Sequence, residues 1–280
     1  MQQFYKYQGA GNDFIIFDNR SRFFDSGNEL LIKYLCDRRF GIGADGLMLL
    51  QEKEGYDFEM VYFNADGREG SLCGNGGRCI VAFAHFLGLF SERTVFLAAD
   101  GEHTAYLTGG NAKEIEESGE QNLPDDLPEY IVKLKMNDVS SISKDGDAWV
   151  LDTGSPHFVQ EVQGLQQLSL LEAAERIRYG SKYAEKGINV NYVEALPGGG
   201  FAIRTYERGV EDETLACGTG ATAAALAMAH QKGLEGSFRT PIRALGGQLT
   251  IHFQKQGLLF TEIYLEGPAT FVYEGKVGLK

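Results

Sequence analysis

Apolar and polar positions alternate along this chain as short hydrophobic runs set between glycine-rich loops, and most of the runs are too short for helices. Residues 4–7 and 15–17 flank Gly9-Ala10-Gly11-Asn12-Asp13-Phe14, a pattern that predicts strand, glycine loop, strand. Residues 47–50 read as a buried strand, and 57–63 as a strand delivering the turn Asn64-Ala65-Asp66-Gly67. Further strands are expected at 94–99, 104–107, 130–135, 148–151, 158–162, 187–193, 202–206, 249–253 and 258–265, with a short tail after Gly267. Leu30, Leu31, Tyr34 and Leu35 have helical spacing behind Asn28, an acceptable N-cap, so a helix is predicted over 28–39 with Cys36 in its packed face. A second amphipathic helix is predicted over 170–179. Two segments break the pattern. Residues 79–87, apart from His85, and 221–229 show no polar face at a period of 3.6, so each predicts a helix enclosed on nearly all sides, as when a sheet wraps around it.

Each enclosed segment follows a cysteine. The stretches are Ser71-Leu72-Cys73-Gly74-Asn75-Gly76-Gly77-Arg78 and Leu215-Ala216-Cys217-Gly218-Thr219-Gly220-Ala221-Thr222, 144 residues apart (217 minus 73). Other anchors repeat at nearly the same spacing: Gly11 with Gly154 at 143, Gly41-Ile42 with Gly187-Ile188 at 146, and Tyr62 with Tyr206 at 144. Such regularity predicts a duplicated α/β (mixed α+β) domain, each copy a barrel-like mixed sheet around one central helix, the copies related by pseudo-symmetry. The Gly-, Glu-, Asp- and Asn-rich stretch 109–129 reads as the connection, placing the domains at 1–117 and 118–266.

Composition narrows the function. The formal charge of −13 and the lack of any basic run argue against a nucleic-acid partner. No apolar run approaches the roughly 20 residues of a membrane span, and Met1-Gln2-Gln3-Phe4-Tyr5-Lys6 lacks the apolar core of a signal peptide, so a cytoplasmic location is the expectation. Four cysteines without a dense framework read as reduced thiols, and Cys73 with Cys79 lacks zinc-ligand spacing, so no metal is expected.

Two thiols at helix N-termini suit one reaction in particular. A thiolate on one side of a carbon acid and a thiol on the other can remove a proton from one face and return one to the opposite face, inverting the centre. The first-turn amides at Gly74–Gly76 and Gly218–Gly220 are donors that can hold the carboxylate into which carbanion charge flows. Arg208 offers a fork for a carboxylate, Glu207 a partner for an ammonium, and Asn12, Asn64 and Asn189 paired donors and acceptors. One amino-acid head would not need the whole set, so a substrate with two such heads is implied. His157 is a candidate base for Cys73 and equally a structural histidine; Cys36 and Cys79 read as buried packing.

Taken together, Gly9–Phe14, Gly41-Ile42-Gly43-Ala44-Asp45-Gly46, Phe63-Asn64-Ala65-Asp66-Gly67, Cys73-Gly74-Asn75-Gly76-Gly77-Arg78-Cys79, Gly187-Ile188-Asn189-Val190, Tyr206-Glu207-Arg208-Gly209 and Ala216-Cys217-Gly218-Thr219-Gly220 resemble the diaminopimelate epimerase family over nearly the whole chain. The resemblance implies a cytoplasmic homodimeric isomerase that interconverts LL- and meso-diaminopimelate for lysine and peptidoglycan synthesis without cofactor or metal. It assigns Cys73 to the LL isomer and Cys217 to the meso isomer, and substrate contacts to Asn12, Asn64, Asn189, Glu207, Arg208 and the amides of Gly74, Asn75, Gly218 and Thr219. It also implies the two-domain fold, with the tail 267–280 returning to the first domain. Two departures stand out. Ser155 occupies a place where the family often has a substrate-contacting asparagine, which leaves that contact to water, and Glu207–Thr214 is one residue longer than usual and lacks a second glycine. Rival readings are a proline racemase-like two-base enzyme, for which the cysteine core alone would serve, and a non-catalytic amino-acid-binding protein or thiol redox sensor, which would not need Glu207, Arg208 and the asparagines.

Overall fold

A computed structural model of the protein describes residues 1–70, 72–109 and 129–279. The expected connection lies at 110–128, outside the described residues. In chain order the elements are β1 (Gln2–Gly9), β2 (Asn12–Asp18), α1 (Glu29–Cys36), β3 (Gly46–Gln51), β4 (Phe58–Asn64), α2 (Gly74–Phe86), β5 (Arg93–Ala98), β6 (Gly101–Gly109) and β7 (Glu129–Lys135). They continue as β8 (Ile142–Asp145), β9 (Ala148–Asp152), β10 (Pro156–Glu161), α3 (Leu170–Arg178), β11 (Asn189–Ala195), β12 (Phe201–Glu207), β13 (Asp212–Thr214), α4 (Gly218–Gln231), β14 (Gly236–Ala244), β15 (Gly247–Gln256) and β16 (Leu259–Val277). Two compact units result, Met1–Leu134 with Gly267–Lys280, and Lys135–Glu266.

In unit 1 the strands pair in the order β1-β2-β3-β4-β5-β6-β7-β16, and β16 returns to pair with β1, which closes a barrel. Closure pairs the two ends of the sheet with each other through β16. Unit 2 repeats the pairing step for step: β9–β10, β11–β12, β14–β15 and β15–β16 are antiparallel, β10–β11 and β12–β14 parallel, as β1–β2, β3–β4, β5–β6 and β6–β7 are antiparallel and β2–β3 and β4–β5 parallel in unit 1. Its ring is drawn together where the amide of Met136 donates to Ile263 O (2.9 Å) and Val139 and Phe260 exchange both backbone hydrogen bonds (2.9 and 2.7 Å).

The enclosed helices are where the pattern required them. Every residue of α2 from Gly74 to Ala84 is buried, and α4 is buried from Gly220 to Ala229. Small residues make this possible: a Cβ on Gly76 would meet Met48 Sδ and Phe14 at 3.4 and 3.5 Å, so α2 lies directly against β2 and β3. A second core covers the other face of the same strands, where Ile15, Phe17, Leu47 and Leu49 pack with Ile32, Leu35 and Cys36 of α1. In unit 2, α3 does the same over Phe158, Val190, Tyr192 and Tyr206. Strands covered on both faces read as continuous apolar runs, which is why their alternation is absent from the sequence.

One local expectation differs from the structure. The face that α1 buries is Ile32, Leu35 and Cys36, while Leu30 and Tyr34 are exposed, so the helix is rotated from the face chosen by apolar spacing. Asn28 does cap it, accepting from the Leu31 amide at 3.0 Å. β14 had no apolar signature and carries Pro241, which is tolerated because only Phe201 and Ala202 of β12 pair with its second edge. The tail after Gly267 lies in unit 1 and runs as strand to Val277, paired with β7 and β1.

Candidate active site

Each candidate half-site is built at the N-terminus of an enclosed helix. Cys73 is the N-cap of α2, in extended backbone (φ −88°, ψ 127°), and its carbonyl accepts the first helical bond from Gly77 N at 2.7 Å. Asn12 reaches it from the β1–β2 hairpin, whose central residues Ala10 (φ 53°) and Gly11 (φ 82°) both have positive φ, the backbone of a type I′ turn. Ala10 is a non-glycine residue in that region and is 1% exposed, so its strain is held by surrounding packing.

Hydrogen bonds around Cys73 are directional. Arg78 Nη2 donates to Asn75 Oδ1 (3.0 Å), so the Asn75 amide turns its Nδ2 towards Asn12 Oδ1 (3.4 Å). Asn12 Nδ2 donates to the Asp45 carboxylate at 2.6 Å, which leaves Asn12 Oδ1 as the acceptor facing Cys73 Sγ at 3.6 Å. Arg78 is wholly buried; its other bonds run to Gly74 O (3.1 Å) and Pro268 O (3.2 Å), and burial pushes its pKa down. Asp13 and Asp45 are balanced by Lys6 and Arg38, the latter forking onto Asp13 at 2.6 and 2.9 Å. Burial alone would raise the Asp13 pKa, but the bonds from Arg38 and Lys6 hold it well below the carboxylate range. Asn64, at the exposed end of β4, accepts from Tyr62 OH at 3.1 Å. The other two cysteines of this unit are packing: Cys36 is buried with its pKa raised to about 12, and burial raises Cys79 further.

Cys217 caps α4 in the same way (φ −114°, ψ 113°), its carbonyl accepting from Ala221 N at 2.9 Å. Its sulfur lies 3.4 Å from Thr219 Oγ1, whose residue is tied to the β9–β10 turn by Thr153 Oγ1 donating to Thr219 O at 2.9 Å. Ser155 Oγ is 3.5 Å from Thr219 Oγ1, 3.1 Å from His157 Nε2 and 3.0 Å from Asn189 Nδ2. Asn189 also donates to Pro156 O (3.1 Å) and accepts from the Arg208 amide (2.8 Å), so it fixes the start of the turn after β12. The Arg208 side chain reaches Lys186 O at 2.9 Å. Burial raises the pKa of Glu207.

The long turn after Glu207 is ordered. Glu207 and Asp212 pair across a four-residue loop, Glu211 adopts φ 59°, and its carboxylate is gripped by Arg178 (2.8 and 3.2 Å) and Tyr179 OH (3.1 Å) beside α3. The turn is thus clasped onto a neighbouring helix.

Sequence reasoning passed over Asn191, Arg78 and Asp45. Asn191 is wholly buried and donates to Phe158 O (2.9 Å) and His157 Nδ1 (3.1 Å), while its Oδ1 takes the Thr205 hydroxyl (3.0 Å). His157 Nδ1 is thus an acceptor and Nε2 carries the proton, and burial pushes its pKa down to about 3. The available signal is spacing: Asn189 and Asn191 share one face of a strand whose residues between and after them, up to Val193, are apolar. Among the described residues no three His, Cys, Asp or Glu side chains gather to hold a metal ion, and no helix is long and apolar enough to cross a membrane. A surface cavity of about 860 Å³ in unit 2 is lined by Lys144, Trp149, Glu161 and Gln231 among others, and by none of the candidate residues.

Known proteins resemble this chain along most of its length. Residues 4–122 and 149–272 match the family model described as diaminopimelate epimerase. A protein of that name from Flavobacterium psychrophilum is 45% identical, over 96% of this chain and 98% of its own length. Another from Chlorobaculum tepidum is 42% identical, over 97% and 99%. Among solved structures, a phenazine biosynthesis protein of the PhzF family from Bacillus anthracis shares the fold at a TM-score of 0.72, with 16% identity and 99% of each chain covered.

Proposed function

The chain belongs to the diaminopimelate epimerase family, and from that premise we propose a cofactor-independent epimerisation of LL- to meso-diaminopimelate in which Cys73 and Cys217 are the two bases. The observation that carries the reading is the repetition of one device: a cysteine capping an enclosed helix with a glycine-rich first turn, once in each of two units built to the same strand order. With LL substrate, the Cys73 thiolate removes the α-proton and the Cys217 thiol delivers its own to the opposite face. With meso substrate the roles reverse. Charge that develops on the α-carboxylate is met by first-turn amides at Gly74–Asn75 and Gly218–Thr219, where fixed donors are worth ~3 to 4 kcal/mol each.

Asn12, Asn64, Asn189, Glu207 and Arg208 hold the remaining carboxylate and ammonium groups of a double-headed substrate, and their distribution over both units favours that length over a proline-sized one. His157, neutral and donating from Nε2, serves the site by holding Ser155. The product's place is lysine and peptidoglycan-precursor synthesis, in the cytoplasm, by a homodimer. The test is incubation of reduced protein with LL-diaminopimelate in deuterated water. α-Deuterium incorporation with appearance of the meso isomer is expected, and absence of exchange in fully reduced protein refutes the reading. Exchange with proline instead points to the racemase-like alternative.

A further inference from the structure

The bonds around Ser155 fill its acceptor positions and leave its hydroxyl to donate. Asn191 donates to Phe158 O, which fixes its amide, so its contact with His157 Nδ1 is also a donation and His157 Nε2 keeps its hydrogen. That hydrogen points at Ser155 Oγ, 3.1 Å away. Asn189 is fixed equally, its Oδ1 taken by the Arg208 amide and its Nδ2 shared between Pro156 O and Ser155 Oγ. With two donors filling its lone pairs, the Ser155 hydroxyl is left as a donor, and Thr219 Oγ1 is an acceptor within reach at 3.5 Å. Thr219, receiving that bond, has its own hydrogen for Cys217 Sγ at 3.4 Å.

We infer that Ser155 is a positioning residue which, with Thr219, forms a one-directional hydroxyl chain that places an O–H donor on the Cys217 sulfur and so favours the thiolate there. The inference rests on the reading of Cys217 as a base. A donor aimed at sulfur stabilises the charged form, whereas an acceptor stabilises the thiol. Cys73 has the opposite neighbour, since Asn12 Oδ1 is held as an acceptor by Asn75 and Asp45. The repeat therefore conserves the two cysteine caps but not these neighbours. Other titratable groups at this end of unit 2 include Asp152 at the end of β9, Glu207 and Arg208 at the end of β12, Asp212 paired with Glu207, Lys186 beside Arg208, and the Arg178–Glu211 pair beyond them; the variants below leave all of these in place.

The test reads each thiol separately in substrate-free enzyme, by iodoacetamide alkylation rate against pH with the Cys73 and Cys217 peptides resolved by mass spectrometry. In Thr219→Val the Cys217 midpoint should rise by about one pH unit, and in Ser155→Ala by less in the same direction. Thr219→Ser should restore the wild-type value, and the Cys73 midpoint should stay unchanged throughout. With meso substrate, the acid limb of the kcat/KM profile should move with the Cys217 midpoint, which loss of packing alone would not cause. An unmoved Cys217 midpoint in either folded variant, or equal shifts at both cysteines, overturns the inference; should Thr219→Val not fold, Ser155→Ala decides. Turnover of Cys217→Ala separates the two readings. If that variant remains active, the base assignment falls whatever the alkylation shows, and if it is inactive while the midpoint stays put, only the hydroxyl chain falls.

Discussion

At the scale of single residues, the four cysteines divide by environment. Cys73 and Cys217 cap helices beside polar side chains, whereas Cys36 packs among Ile32, Leu35 and Phe4. Cys73→Ala and Cys217→Ala should each abolish LL-to-meso conversion measured by deuterium exchange with product analysis, while Cys36→Ala keeps turnover and lowers stability by about 1 kcal/mol in urea unfolding. His157 makes a separate prediction. Its pKa falls from 6.5 to about 3 because it is buried, with Arg208 adding to the effect. Between those values the unfolded chain binds a proton that the folded chain does not, so stability is complete above pH 6.5 and falls as pH drops towards 3. The slope approaches about one decade in the unfolding constant per pH unit. Urea midpoints measured from pH 7 to 4 should show this decline, and His157→Gln should flatten it. Asp13, held low by Arg38 and Lys6, adds its own loss only below its ordinary value of 3.8.

At the scale of elements, the enclosed helices work because small residues let strands approach. A Cβ on Gly220 would lie 2.5 Å from Asn191 Oδ1, and Asn191 is the residue that fixes the His157 tautomer. Gly220→Ala should therefore push Asn191 away, cost about 2 kcal/mol in unfolding free energy, and reduce kcat more than substrate affinity. A thermal melt paired with steady-state kinetics checks both halves, and a variant of normal stability and turnover would show that the approach is not needed. The legibility of elements followed burial. α2 and α4 are readable because all-round apolarity in runs too short to cross a membrane has few explanations, and β2 and β3 because cover on both faces makes them continuously apolar. α1 was read with the wrong face since two of its apolar residues, Leu30 and Tyr34, are exposed. β14 was missed because alternation with charge and a proline hide a strand that is paired along one edge and briefly on the other.

For the whole molecule, the last strand carries more than its sequence suggested. β16 pairs with β15 up to Glu266, then with β7 and β1 from Gly267 onward, so its second half closes the ring of unit 1. Ending the chain after Gly267 should leave β1 and β7 with unpaired ladders, and the truncated protein should lose cooperative unfolding or aggregate when followed by light scattering. A truncated chain that melts cooperatively at the native temperature would mean that closure is dispensable.

The sequence alone determined the duplication, the two enclosed helices and the pair of capping cysteines, because each rests on local spacing and on apolarity that survives any arrangement of the rest. It also carried the family, through motifs in order along the chain. Tertiary structure decided what no spacing encodes. It joined Asn191 to His157, and Ser155 to Thr219, across three separate segments; it buried Arg78 against Pro268 O, 190 residues away; and it turned the tail into a barrel strand. Direction around each cysteine is of this kind. Whether a sulfur meets a donor or an acceptor depends on which side-chain lone pairs are already filled, and those are filled by residues distant in sequence.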